Sequence, residues 1–172
     1  MYAALTKAIL DDGNRERAGR DLERLRERHP RASRDELATR VIRRAALQCA
    51  AAGGVLAGPA AFFGAVPFGA DLAYQALVLN RMVLTLARLY GADGSAPARL
   101  SGAAGGLAAG LGSELFRQAL VRTLRSALPR RPGLRTAAGA IAGGILGYAA
   151  GLAVGRLARD TFADRRRFFG LG

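Results

Sequence analysis

Few side chains in this sequence carry groups that could do chemistry, and their spacing excludes most of it. His29 is the single histidine and Cys49 the single cysteine, so no internal disulfide and no thiolate metal cluster can be built. His29 precedes Pro30, away from any cysteine or carboxylate cluster, and reads as a turn residue. Cys49, within QCAAA, reads as a small buried hydrophobe. The chain holds no G-x-x-x-x-G-K-[ST], H-E-x-x-H, C-x-x-C or G-x-S-x-G, the patterns that would cradle a phosphate, hold zinc or present a nucleophile. Glycine-rich runs such as GAAGGLAAG lack the preceding strand that a dinucleotide site requires. Acidic residues concentrate in the first 36 positions, among arginines that can pair with them at i+4. Asp71 stands apart from these, at the mouth of an apolar stretch, and can meet Arg81 or Arg88; a helix-terminal or ion-pairing carboxylate is the expectation. The residues thus predict a non-enzymatic protein without cofactor or metal.

Charge predicts the partner class more directly. Lys and Arg total 26 against 13 Asp and Glu, giving +13 and a pI near 11.5. Lys7 is the only lysine. Such a surface attracts anionic lipid headgroups, nucleic acid or acidic proteins. The arginines expected to contact an anionic surface are Arg117, Arg122, Arg125, Arg130, Arg131 and Arg135, together with the run Arg165, Arg166, Arg167. That run precedes Phe168-Phe169, a pattern suited to a membrane-surface anchor or to a frayed tail. The opening MYAALTKAILDDGN lacks the basic-then-apolar order of a signal peptide. The expected location is therefore the cytoplasm or the cytoplasmic face of a membrane.

The elements that must position these residues are helices. Asn14 can cap a helix running to about Arg28, whose thin stripe of Ala18, Leu22 and Leu25 must lean on something or stay solvated. His29-Pro30 stops it. Ser33 and Glu36 form an S-x-x-E capping box, so a second helix starts near Arg34. No charge separates Arg44 from Asp71, yet Gly53-Gly54, Pro59 and Pro67 interrupt that run. A bend at Gly58-Pro59 and an apolar elbow through Phe62, Phe63 and Phe68 are expected. A third helix spans Asp71 to Tyr90 with Leu72, Ala76, Leu79, Val83, Leu86 and Tyr90 on one side. A turn over Gly91 to Pro97 and a break over Pro129 to Gly133 bracket the next helical stretch.

Two stretches carry glycine at a strict spacing of four: Gly102, Gly106, Gly110, and Gly139, Gly143, Gly147, Gly151, Gly155. On a helix that spacing forms a ridge along which another backbone can approach closely. Ala137 to Gly155 is charge-free and about 28 Å long as a helix, near the thickness of a bilayer core. Its small side chains make insertion alone marginal. Pairing of the two ridges as a glycine-zipper hairpin is the expected remedy, in a bilayer or as the dry core of a bundle. The fold class is all-α: a compact multi-helix bundle, membrane-embedded or at a membrane surface. Residues 1–32 form a basic charged extension and 33–172 the helical domain.

The run VPFGADLAYQALVLNRMVLTLARLYG resembles the EcsC family and the domain of unknown function that follows the GTPase domain in YcjF-type membrane proteins. The residues that carry the resemblance are Pro67, Asp71, Met82, Leu86-Ala87 and Tyr90-Gly91. The segment LPRRPGLRTAAGAIAGGILGYAAGLAVGRLARDTF is similar to the closing part of those proteins. The resemblance covers Ser33 to Phe162. It implies an all-helical, bacterial, membrane-linked accessory domain without assigned chemistry. This chain departs from it in having no GTPase domain and in reading Pro129-Arg-Arg-Pro132-Gly133 at the proline turn. The resulting expectation is a scaffold or adaptor at the cytoplasmic face of the bacterial inner membrane, peripheral or inserted as a hairpin. It would bind a protein partner or anionic lipid through arginine-rich surfaces and could form homo-oligomers. The alternative is a soluble, cytoplasmic, basic helical protein that binds nucleic acid.

Overall fold

The computed structural model describes residues 12–63, 68–92 and 132–168. These form four helices and no strand: α1 (Asp12–Arg28), α2 (Arg34–Phe63), α3 (Phe68–Leu89) and α4 (Pro132–Phe168). The helices pack on one another as a bundle, with α3 in contact with all three others and α2 against α4 as the most extensive pairing.

Local chemistry sets several of the boundaries. The Ser33 backbone N–H donates to Glu36 Oε2 at 2.7 Å, and the Glu36 N–H donates to Ser33 Oγ at 3.3 Å. This reciprocal box satisfies two donors that the start of α2 would otherwise leave open. Helix α3 closes in a Schellman motif: the Ala92 N–H reaches Ala87 O at 2.8 Å and the Gly91 N–H reaches Arg88 O at 3.1 Å. Gly91 has φ +77°, the left-handed conformation that glycine adopts without steric cost. Helix α1 ends at Arg28 as its sequence predicts. It begins two residues before Asn14, which lies inside it and is buried instead of capping it.

The expected interruption of α2 is absent. Helix α2 runs unbroken through Gly53-Gly54 and Pro59 to Phe63, and α4 continues through Arg165–Arg167 to Phe168. Interior glycine costs a helix about 1 kcal/mol relative to alanine, but Gly53 and Gly54 both lie against the α4 backbone, so tertiary packing offsets the local preference. Pro132, expected within a break, is the first residue of α4, a position where its missing N–H costs nothing.

Among the described residues the buried core draws on all four helices. Leu22 of α1, Leu37 and Ile42 of α2, Leu79, Val83 and Leu86 of α3 and Phe162 of α4 meet there. The thin stripe of α1 therefore leans on the bundle: Ala18 and Leu22 are buried, so the segment expected as an extension contributes to the common core. Helix α3 is the central element. Its expected apolar positions Ala76, Leu79, Val83, Leu86 and Tyr90 are buried, and so are the polar Gln75, Asn80 and Thr85. The Thr85 hydroxyl donates to Arg81 O at 2.8 Å, which satisfies it within its own helix.

Candidate functional site

The pairing of α2 with α4 is antiparallel and unusually close. A Cβ placed on Gly155 would lie 2.6 Å from Ile42 Cγ2, and one on Gly151 would lie 2.6 Å from Ala46 Cα. At Gly147 it would overlap the Cys49 carbonyl oxygen, and at Gly53 the carbonyl oxygen of Gly143. The register thus runs Ile42–Gly155, Ala46–Gly151, Cys49–Gly147, Gly53–Gly143 and Gly54–Ala140. Gly143, Gly147, Gly151 and Gly155 are all buried; Gly139 lies on α4, and its surroundings are not described. Among the described residues helix α2 occupies this ridge. Gly102, Gly106 and Gly110 lie outside the described residues. Helix α2 can take the place because it carries small residues at matching intervals, Ala46, Ala50 and Gly54 among them. That stripe, hidden in AALQCAAAGG, was the available signal.

The register brings two charge-free stretches side by side. Helix α2 has no charge after Arg44, and α4 has none between Arg135 and Arg156. Opposite the glycine ridge, α4 presents Ile141, Ile145, Ala149, Ala153 and Leu157 at i+4 intervals, all exposed. The three large side chains are 64%, 63% and 69% exposed. Leu47 of α2 is 54% exposed. Among the described residues one helical segment, Ala140–Asp164, is long and apolar enough to cross a membrane by length and composition. Only 22% of its most apolar window is buried, whereas the core helix of a water-soluble bundle is mostly buried.

Arg81 and Arg88, singled out in the sequence, meet different neighbours on α1. Arg81 pairs with Asp21 of α1, its Nη2 lying 2.5 Å from Asp21 Oδ2. Asp71 lies near the start of α3, and its side-chain contacts fall outside what is described. The Arg88 guanidinium lies against Gly19, where a Cβ would overlap its Nη1. Arg135 and Arg165–Arg167 fall near the two ends of α4, while Arg117, Arg122, Arg125, Arg130 and Arg131 lie outside the described residues. His29 has Nε2 3.4 Å from Arg40 Nη1. Cys49 is buried at 1% exposure. Among the described residues no three His, Cys, Asp or Glu side chains gather where a metal ion could sit.

Two arrangements were not legible in the sequence. One is a hydrogen bond from Tyr90 Oη to Asp35 Oδ1 at 2.7 Å. Burial, followed by the Asp35 hydrogen bond and charge, pushes the Tyr90 phenol up to about 12, since both disfavour phenolate. The other is a half-open cavity of about 70 Å³ on the α1–α2–α3 side, lined by Asp21, Arg40, Arg44, Gln48, Arg81 and Thr85 over an apolar floor that includes Met82.

The chain matches no protein-family model, no curated protein and no solved structure.

Proposed function

We propose that this chain is a non-enzymatic, membrane-associated helical scaffold at the cytoplasmic face of the bacterial inner membrane. The observation that carries the reading is the α2–α4 pair. Its two charge-free stretches lie in register, with one face of α4 closed by α2 and the opposite face open and apolar. Glycine would act here as a zipper, letting two backbones approach so that neither small-residue face meets lipid. The Ile141–Leu157 ridge would then be the lipid-facing surface, and an exposed apolar stripe of this kind marks an interaction site. The resemblance to EcsC and YcjF-type proteins belongs to the same proposal. So does recruitment of anionic headgroups or an acidic partner by Arg165–Arg167 and the arginines between Arg117 and Arg135.

Detergent-dependent membrane fractionation tests it. The protein should sediment with membranes and be released by detergent, and replacing Arg165–Arg167 should weaken sedimentation in a salt-sensitive manner. Recovery wholly in the soluble fraction overturns the proposal. Steeply salt-dependent retention of DNA by that soluble protein would put nucleic-acid binding in its place.

A further inference from the structure

The cavity between α1, α2 and α3 gathers more positive charge than its own residues neutralise. Arg40 and Arg44 stand at i and i+4 on α2, a spacing at which like charges repel. Arg81 of α3 joins them, and Asp21 is the only carboxylate among the described residues that line the same space. The Asp21 carboxylate engages one end of the Arg81 guanidinium at 2.5 Å. Arg81 Nε is buried without a hydrogen-bond acceptor, and a buried donor left unpaired is costly. Arg44 makes no ion pair or hydrogen bond with any described residue. Among the described residues Arg40 has only the ring nitrogen of His29, at 3.4 Å. Gln48 adds an amide donor at the rim. A volume of about 70 Å³ holds more than a single water.

We propose that this cavity binds a phosphate group, as the free ion or as a phosphate monoester. A tetrahedral dianion answers each feature: it neutralises the surplus charge, and its several oxygens accept from planar guanidinium forks that reach it from two helices. Such a ligand bridges α2 and α3 beside the Asp21–Arg81 pair and fastens three helices at one point. Arg44 immediately precedes the charge-free half of α2, so a lipid phosphate is one source of the group and a soluble phosphate compound the other. Phosphate binding by this arginine cluster does not require membrane association.

The test titrates the purified full-length protein with inorganic phosphate against chloride at constant ionic strength, reading affinity by calorimetry and thermal stability in parallel. The wild type should bind phosphate and melt at a higher temperature with it. Arg44→Gln should weaken binding about tenfold or more, the scale of one lost charged hydrogen bond. Arg43→Gln, an exposed neighbour that does not line the cavity, should bind as the wild type does. Because Arg44 is exposed and has no described partner, its replacement leaves the fold intact, which the melting temperature without phosphate checks. Absence of phosphate binding, or equal weakening in Arg43→Gln and Arg44→Gln, overturns the proposal. Vesicles of phosphatidylcholine with and without phosphatidate then separate the sources. Arg44-dependent gain with phosphatidate assigns the lipid, and phosphate binding in solution without that gain assigns the soluble compound.

Discussion

The Tyr90 phenol donates a 2.7 Å hydrogen bond to Asp35 Oδ1, which ties the end of α3 to the first turn of α2 across 55 positions of sequence. Tyr90 is 8% exposed while Asp35 is exposed, so the bond anchors the rim of the core and not its centre.

That bond sets an alkaline limit on stability. The Tyr90 pKa is raised from 10.0 to about 12 in the folded protein. The unfolded chain therefore releases this proton first, and phenolate formation favours unfolding. The contribution is fully present below pH 10 and is lost as pH rises through about 12. Tyr90→Phe should cost about 1 kcal/mol at neutral pH, since Asp35 keeps its access to water. It should also remove this component of the alkaline decline. Urea unfolding of the two proteins from pH 8 to pH 12 checks both.

At Gly147 a side chain would meet the Cys49 backbone, with the Cys49 carbonyl carbon 2.7 Å from an added Cβ, and backbone cannot turn aside as a flexible side chain can. Gly147→Leu should destabilise by about 3 kcal/mol or more. Ala149→Leu, on the exposed ridge two residues away, should change stability by about 0.5 kcal/mol or less. Equal tolerance in denaturant unfolding would remove close α2–α4 packing as a source of stability.

Gly91→Ala isolates a backbone effect. Nothing lies within 4 Å of an added Cβ, so any loss comes from holding an L-residue at φ +77°. A cost of about 1 kcal/mol is expected, with Gly91→Asn intermediate because asparagine tolerates this region better than alanine. Thermal unfolding of the three proteins orders them.

Ile141→Asn with Ile145→Asn addresses the proposed lipid-facing ridge. Both side chains are more than 60% exposed, so the urea midpoint should stay near that of the wild type. Vesicle flotation should fall, since two large apolar side chains contribute about 1.5–3 kcal/mol each when buried. Unchanged flotation would take the ridge out of the membrane contact.

Features with local causes are legible in the residues alone. The capping box at Ser33 and Glu36, the end of α1 at Arg28, the glycine stop at Gly91 and the apolar side of α3 all follow from interactions within a few residues. A helical pattern with no strand signal likewise placed the chain in the all-α class. Expectation failed where a local rule met a tertiary partner. Gly53-Gly54 and Pro59 read as breakers, yet α2 passes through them, because Gly53 and Gly54 are where α4 comes close. The glycine ridge of α4 announced a close partner but could not say which. Spacing drew attention to Gly102–Gly110, and among the described residues the ridge faces the less conspicuous Ala46–Ala50–Gly54 stripe of α2. The partners of Arg81 and Tyr90, and the cavity that joins Arg40, Arg44 and Arg81, depend on side chains far apart in the chain. Only the packing of helices fixes such distances, since charge and periodicity report what a face contains and not what it faces.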